Sequence, residues 1–141
     1  TLNLHCDLTF ATPRTVFRTP FVDLGLVPEA GSSLLVPQIL GRQRAFALLG
    51  LGEGLSAEEA KEMGLIYDVV EENLLEQTAL AAAERIAAKP PQALKIARDL
   101  MRGSREELVA RIDVEAGHFR ERLKSDEARA ALTAFMERKK G

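Results

Sequence analysis

Beyond Gly41 the chain is cut by caps and breakers into pieces the length of helices, and that punctuation limits what it can fold into. Ser56-x-x-Glu59 is a capping-box pattern that opens a helix ending near Gly64. Asn73-Leu74-Leu75-Glu76 repeats the logic for a long alanine-rich helix that stops at Lys89, before Pro90-Pro91. A further helix runs from about Gln92 to Arg102 and closes at Gly103. Ser104-x-x-Glu107 then caps another, with Leu108, Ile112, Phe119 and Leu123 at helical spacing. Asp126 opens the last one, which carries Ala130, Leu132, Ala134 and Phe135. Everything from Pro91 onward reads as helix.

The front of the chain has a different period. Leu2, Leu4, Cys6, Leu8 and Phe10 alternate with Asn3, His5, Asp7 and Thr9, which predicts a strand with two unlike faces. Ala11-Thr12-Pro13-Arg14 reads as a turn, because proline fixes φ and pushes Thr12 to extended geometry. Thr15 to Thr19 is a second short strand offering Val16 and Phe17 for burial. Gly25 and Pro28 punctuate a loop, after which Glu29-Ala30-Gly31-Ser32-Ser33 leads into a helical turn interrupted or stepped at Pro37. Gly41 separates that helix from one carrying Ala45, Phe46, Leu48 and Leu49. Leu65 to Val70 is a strand or extended segment. Strands first and helices after make an α/β chain.

Composition excludes several classes. The 141 residues suffice for a real core and make one domain or part of one. A net charge of −2 offers no electrostatic footprint for nucleic acid or an anionic membrane surface. No apolar run approaches the ~20 residues that cross a bilayer. One cysteine makes no internal disulfide, and two histidines without a carboxylate cluster give no metal-ligand pattern. Arg138-Lys139-Lys140-Gly141 is not a Ser-Lys-Leu address, so the cytoplasm is the default expectation.

The stretch Thr19-Pro20-Phe21-Val22-Asp23-Leu24-Gly25-Leu26-Val27-Pro28-Glu29-Ala30-Gly31-Ser32-Ser33 holds the candidate chemistry. It sets one carboxylate, Glu29, at a helix entrance behind apolar Phe21, Leu24, Leu26 and Val27. Such a group serves either as an acid/base residue or as an ordinary first-turn glutamate, favoured by the helix dipole by roughly 0.3–1 kcal/mol. Ser32 and Ser33 are read as caps for the backbone N–H groups of the helix that follows. His5 and Cys6 are neighbours on a predicted strand and so face opposite ways, which argues against a nucleophilic pair. Asp7 reads as a structural group at the strand end, Asp23 as an exposed loop residue, and His118 as solvated on a charged helix.

Leu-Gly-Leu-Val-Pro-Glu-Ala-Gly-Ser-Ser, with Thr-Pro-Phe ahead of it, resembles the active-site loop of the crotonase superfamily of enoyl-CoA hydratases and isomerases. The Pro-Glu-Ala-Gly-Ser-Ser form is similar to that of the peroxisomal-type Δ3,Δ2-enoyl-CoA isomerases and their bacterial relatives. The resemblance continues through Leu40-Gly41-Arg42, Leu55-Ser56-Ala57-Glu58-Glu59-Ala60, Gly64-Leu65-Ile66-Tyr67-Asp68-Val69-Val70 and Ala88-Lys89-Pro90-Pro91-Gln92-Ala93-Leu94. It covers nearly the whole chain and corresponds to the family's C-terminal half.

The resemblance implies the C-terminal part of a crotonase-like ββα spiral over residues 1–90, followed by a helical trimerisation region over 91–141. It implies an acyl-CoA thioester substrate, no cofactor beyond the coenzyme A of that substrate, no metal, and a homotrimer or dimer of trimers. The family's oxyanion-hole N–H groups and most of its acyl-CoA pocket belong to the other half, so this stretch alone is expected to be inactive and prone to associate. The hydratases use two glutamates, and their positions fall at about Thr1 and Phe21, neither acidic. Glu29 stands instead where the peroxisomal-type isomerases keep their catalytic glutamate. Phe21 and Leu24 are then expected beside substrate, and Phe135 and Arg138 of the last helix against the CoA moiety. The alternatives are hydration, another enolate chemistry on the same fold, or a CoA-binding or assembly paralogue without turnover.

Overall fold

The computed structural model describes residues 1–138, the side chain of Arg138 excepted. Its strands are short and paired in twos. β1 (Phe10–Ala11) runs parallel to β4 (Asp68–Val69), with Phe10 opposite Asp68 and Ala11 opposite Val69. β2 (Val16–Phe17) runs antiparallel to β3 (Leu55–Ser56). In the chain α1 (Ser32–Leu49) links β2 to β3 and α2 (Ala57–Glu62) follows β3. The rest is α3 (Leu75–Ala87), α4 (Pro91–Arg102), α5 (Arg105–Leu123) and α6 (Asp126–Arg138). The helices from Pro91 onward stand as expected.

The core gathers on the front half. Val36, Leu40, Ala45, Leu48 and Leu49 of α1 pack with Ala57 and Ala60 of α2, Ala11 of β1, and Leu65 and Ile66. Spacings of three and four residues put Val36 and Leu40 on one face before Gly41, and Ala45, Leu48 and Leu49 on one face after it. α3 and α4 bury no residue completely, and α6 buries Ala128. In α5 the one fully buried residue is a carboxylate, Glu115.

Local signals explain most boundaries. Ser56 accepts from the Glu59 amide while the Glu59 carboxylate accepts from the Ser56 amide, the reciprocal box its sequence announces. Ser104 accepts from the Glu107 amide at 3.1 Å, opening α5. Gly41, with φ 74° and ψ 163°, breaks α1 into two helical runs as its position predicts.

Four expectations are corrected. The strand predicted over Leu2 to Phe10 is a 3₁₀ turn, Leu2–His5, and only Phe10 and Ala11 pair. Leu4 N–H donates to Thr1 O and Cys6 N–H to Asn3 O, so the backbone is satisfied locally where the described residues offer no neighbouring strand. Helix α1 continues through Pro37, which keeps helical φ/ψ while forfeiting the bond to the Ser33 carbonyl and crowding it, so the interruption falls at Gly41 instead. Asn73 does not cap α3. It sits inside a 3₁₀ turn, Glu72–Leu74, that runs straight into the helix, and Leu74 takes the cap position without a side-chain bond. Ser32 and Ser33, finally, do not cap α1, for the reason given below.

Candidate active site

A 3₁₀ turn, Val22–Leu24, leads toward Glu29. Leu26 N–H returns to Phe21 O at 2.8 Å and Gly25 N–H to Val22 O at 2.9 Å, so the approach is a closed, ordered loop. Phe21 is half-buried and packs against the core, and Leu24 is half-buried in the turn. Gly25 is pressed against α6, where a Cβ would stand 2.7 Å from Ala128 N, and its carbonyl accepts from Arg122 Nε at 3.0 Å.

Glu29 itself begins a tight turn. Ser32 N–H donates to Glu29 O at 3.0 Å, and both central residues have positive φ, Ala30 at 56° and Gly31 at 75°. Two consecutive left-handed residues are the signature of a type I′ turn. Gly31 adopts it freely, while for Ala30 the conformation costs about 1 kcal/mol. The turn lifts the Glu29 side chain to the surface, where its Oε1 accepts from Thr1 Oγ1 at 3.2 Å. Thr1 and Glu29, from opposite ends of a 28-residue separation, thus meet.

Neighbouring elements hold the turn in place. His5, in the first 3₁₀ turn, donates from Nε2 to Ala30 O at 2.8 Å, and the carbonyl acceptor places the proton on that nitrogen. Cys6 Sγ reaches Leu2 O at 3.7 Å instead, so the two residues form no pair. Arg102 of α4 donates to His5 O at 2.6 Å, and Asp7 bridges Arg98 and Arg102 at 2.7–2.8 Å. Partial burial would raise the Asp7 carboxyl, but the two guanidinium groups outweigh it and hold the group below the usual carboxylate range.

On the other side, Gly31 occupies the N-cap of α1 and brings no side chain to cap it. Ser32 already lies inside the helix, its hydroxyl buried without a hydrogen-bond partner among the described residues, and Ser33 Oγ accepts from Arg111 at 3.3 Å. The open N–H groups go to Glu115, whose Oε2 accepts from Gly31 N at 2.6 Å and whose Oε1 accepts from Ser33 N at 2.9 Å. A carboxylate at a helix N-terminus is favoured by both the N–H groups and the dipole. Sequence reading missed Glu115, although a signal existed. It falls between Ile112 and Phe119 at spacings of three and four, on the apolar stripe of α5, where a charge needs a reason.

A cavity of about 320 Å³ opens beside the turn, with Pro28 and Ser33 in one wall and Val22, Pro37, Ala45 and Phe46 among its apolar lining. Phe135 lies on α6 two turns past Ala128, roughly 10 Å along the axis. It is exposed, as is Asp23, which faces Arg18 at 3.8 Å. His118 is exposed and lies 3.9 Å from Glu121. The expected role of Arg138 rests on a side chain outside the described residues. The structure brings Glu29 against Thr1, packs Phe21 on the core and sets Leu24 in the turn that rests on α6, the helix that carries Phe135. Glu29 is not part of the cavity lining; its carboxyl is exposed on the pinned turn against Thr1, where it is free to exchange a proton. No helix of the described residues is long and apolar enough to cross a membrane.

A sequence model of the enoyl-CoA hydratase/isomerase family matches residues 1–141. The chain is 34% identical over 137 residues to the 1,2-epoxyphenylacetyl-CoA isomerase of Escherichia coli K12, spanning 96% of this chain and 52% of that protein. It is 34% identical over 134 residues to enoyl-CoA delta isomerase 2 of Rattus norvegicus, spanning 94% of this chain and 34% of that one. A solved enoyl-CoA hydratase/isomerase from Pseudoalteromonas atlantica T6c superimposes with a TM-score of 0.93 at 39% identity, over 97% of this chain and 56% of that one. The chain thus spans about half the length of such relatives, or less.

Proposed function

Because the chain belongs to the enoyl-CoA hydratase/isomerase family, with the crotonase fold, we propose that it carries the acid/base machinery of an enoyl-CoA isomerase. In this reaction a 3,4 double bond of an acyl thioester moves to the 2,3 position. Glu29 takes the proton from C2, the electron pair passes into a dienolate on the thioester oxygen, and the protonated Glu29 returns the proton at C4. No water is added and no redox partner is needed. Fixed N–H donors on the developing oxyanion are worth roughly 3–4 kcal/mol each, and this reading expects them from the part of the family's length outside this chain. Residues 1–90 then form the C-terminal part of the catalytic core. The helices of 91–141 serve assembly into a trimer, in keeping with exposed Ile96, Leu100 and Met101 on α4.

The observation that carries the reading is the position of Glu29, presented with an exposed carboxyl against Thr1 on a turn held from both sides. Thr1 and Phe21 stand where a hydratase needs its two glutamates, and neither is acidic, which favours isomerisation over hydration. Similarity to a 1,2-epoxyphenylacetyl-CoA isomerase favours, as a second reading, a different isomerisation run by the same glutamate.

The test is the complete gene product assayed side by side on a trans-3-enoyl-CoA and a trans-2-enoyl-CoA, with Glu29→Gln beside it. Removing a positioned acid/base group costs typically 10²–10⁴-fold, so double-bond migration should fall by at least a hundredfold. Efficient hydration that survives Glu29→Gln would overturn the reading in favour of a hydratase.

A further inference from the structure

α5 crosses the turn after Glu29, and the one residue it buries completely is Glu115, 5% exposed. An isolated buried carboxylate is costly, and it persists here because two backbone N–H groups and the N-terminus of α1 satisfy it. A helix can be capped far more simply by a serine, threonine or aspartate in the cap position. This chain does not use that device, because the cap position holds φ at 75°, a conformation that side-chain-bearing residues rarely adopt, and Gly31 stands there. The acceptor is supplied instead from 82–84 residues away, by a helix that otherwise buries nothing fully.

The two bonded amides flank Ser32 and begin two residues past Glu29. With Ala30 also held at positive φ, the segment from Glu29 to Ser33 is a conformation that needs outside restraint to persist. His5 restrains it at the Ala30 carbonyl and Glu115 at the next two available amides. We propose that Glu115 is a positioning residue of the reaction: its carboxylate locks the left-handed turn so that the Glu29 carboxyl stands at a fixed height and angle over the substrate's C2 and C4. The proposal rests on the reading of Glu29 as the acid/base group. Glu115 touches no reacting atom and acts entirely through the turn.

Glu115→Gln tests it, because the amide keeps the shape while only one of its two terminal atoms can accept. In the complete gene product, kcat for the 3-enoyl-CoA should fall at least tenfold with KM held within twofold. Exchange of the Gly31 and Ser33 amides, followed by hydrogen–deuterium exchange, should speed up over the rest of α1. Adding Glu115→Gln to Glu29→Gln should cost nothing further, since a positioning group has no work once the base is gone. Should Glu115→Gln fail to fold, Glu115→Asp, which keeps the charge but is one methylene shorter, is held to the same kcat and KM expectation.

An inactive Glu29→Gln beside a Glu115 variant with kcat within twofold of wild type would overturn this proposal alone. Equal additive losses in the double variant would overturn it too, as would unprotected Gly31 and Ser33 amides in the wild type. A fully active Glu29→Gln would overturn the reading of Glu29 and the proposal with it.

Discussion

Gly31 answers to two constraints at once. Its φ of 75° lies in the left-handed region, and the space where a Cβ would go is filled by Leu108 of α5 at 2.4 Å. Leu108 has a movable side-chain end, so the clash can be relieved, but the dihedral cannot. Gly31→Ala is therefore expected to destabilise the fold by about 1–3 kcal/mol, read as a lower denaturation midpoint with an unchanged slope. An unchanged midpoint would mean that the turn has another way to close. Ala30, one residue earlier, tolerates the same conformation at a cost because its carbonyl is fixed by His5. The contrast between these two neighbours shows how narrowly the turn is determined. One position requires the absence of a side chain, and the other accepts strain in exchange for an anchor.

At the scale of elements, the first 3₁₀ turn works as a clamp between α4 and the Glu29 turn. Arg98 and Arg102 grip Asp7, Arg102 also holds the His5 carbonyl, and the His5 ring holds Ala30. The folded Asp7 carboxyl lies below its unfolded value of about 3.9, so its contribution is fully present above that pH. As pH falls through the folded value, below about 4, the contribution is lost. The ion pairs are about half exposed and screened by solvent, which limits the expected effect to no more than about 1 kcal/mol. Asp7→Asn should lower stability by that order at pH 7 and by progressively less toward pH 3, measured by urea denaturation across the range. A deficit constant with pH would assign the loss to packing and not to charge.

At the scale of the molecule, the surface is too large for the mass. The chain exposes 9948 Å², whereas a compact monomer of 15.5 kDa is expected to expose about 7,200 Å². Part of the excess is apolar, with Leu2, Leu100 and Met101 each close to four-fifths exposed and Phe46 and Val16 near two-thirds. Patches of that kind associate. The 141-residue chain on its own should therefore form oligomers at tens of micromolar, seen by light scattering and sedimentation velocity. A single monodisperse monomer would show that α4 and the front face need no cover. The same openness fits a chain spanning about half of its relatives' length, in which helices α3 and α4 show their apolar sides outward.

Local signals carried much of this in the sequence. The Ser56–Glu59 box, Gly41, Pro91 and Gly103 each act within a turn of helix, so residue type alone sets their effect, and the helices stand close to where these signals place them. Loop identity was legible as well, because Pro-Glu-Ala-Gly-Ser-Ser is a contiguous string whose neighbours in the chain are its neighbours in space. Pro37 and Asn73 were misread locally, but the other two failures depended on partners far along the chain. Leu2 to Phe10 alternates like a strand, yet alternation creates only a face, and a strand also requires a neighbour to receive its amides. Ser32 and Ser33 have cap chemistry, but the turn places Gly31 at the cap, and the acceptor is Glu115 from the far end of the sequence. Only the tertiary structure could decide that, because the energy of a buried carboxylate depends on which amides surround it and not on the residues beside it in the chain.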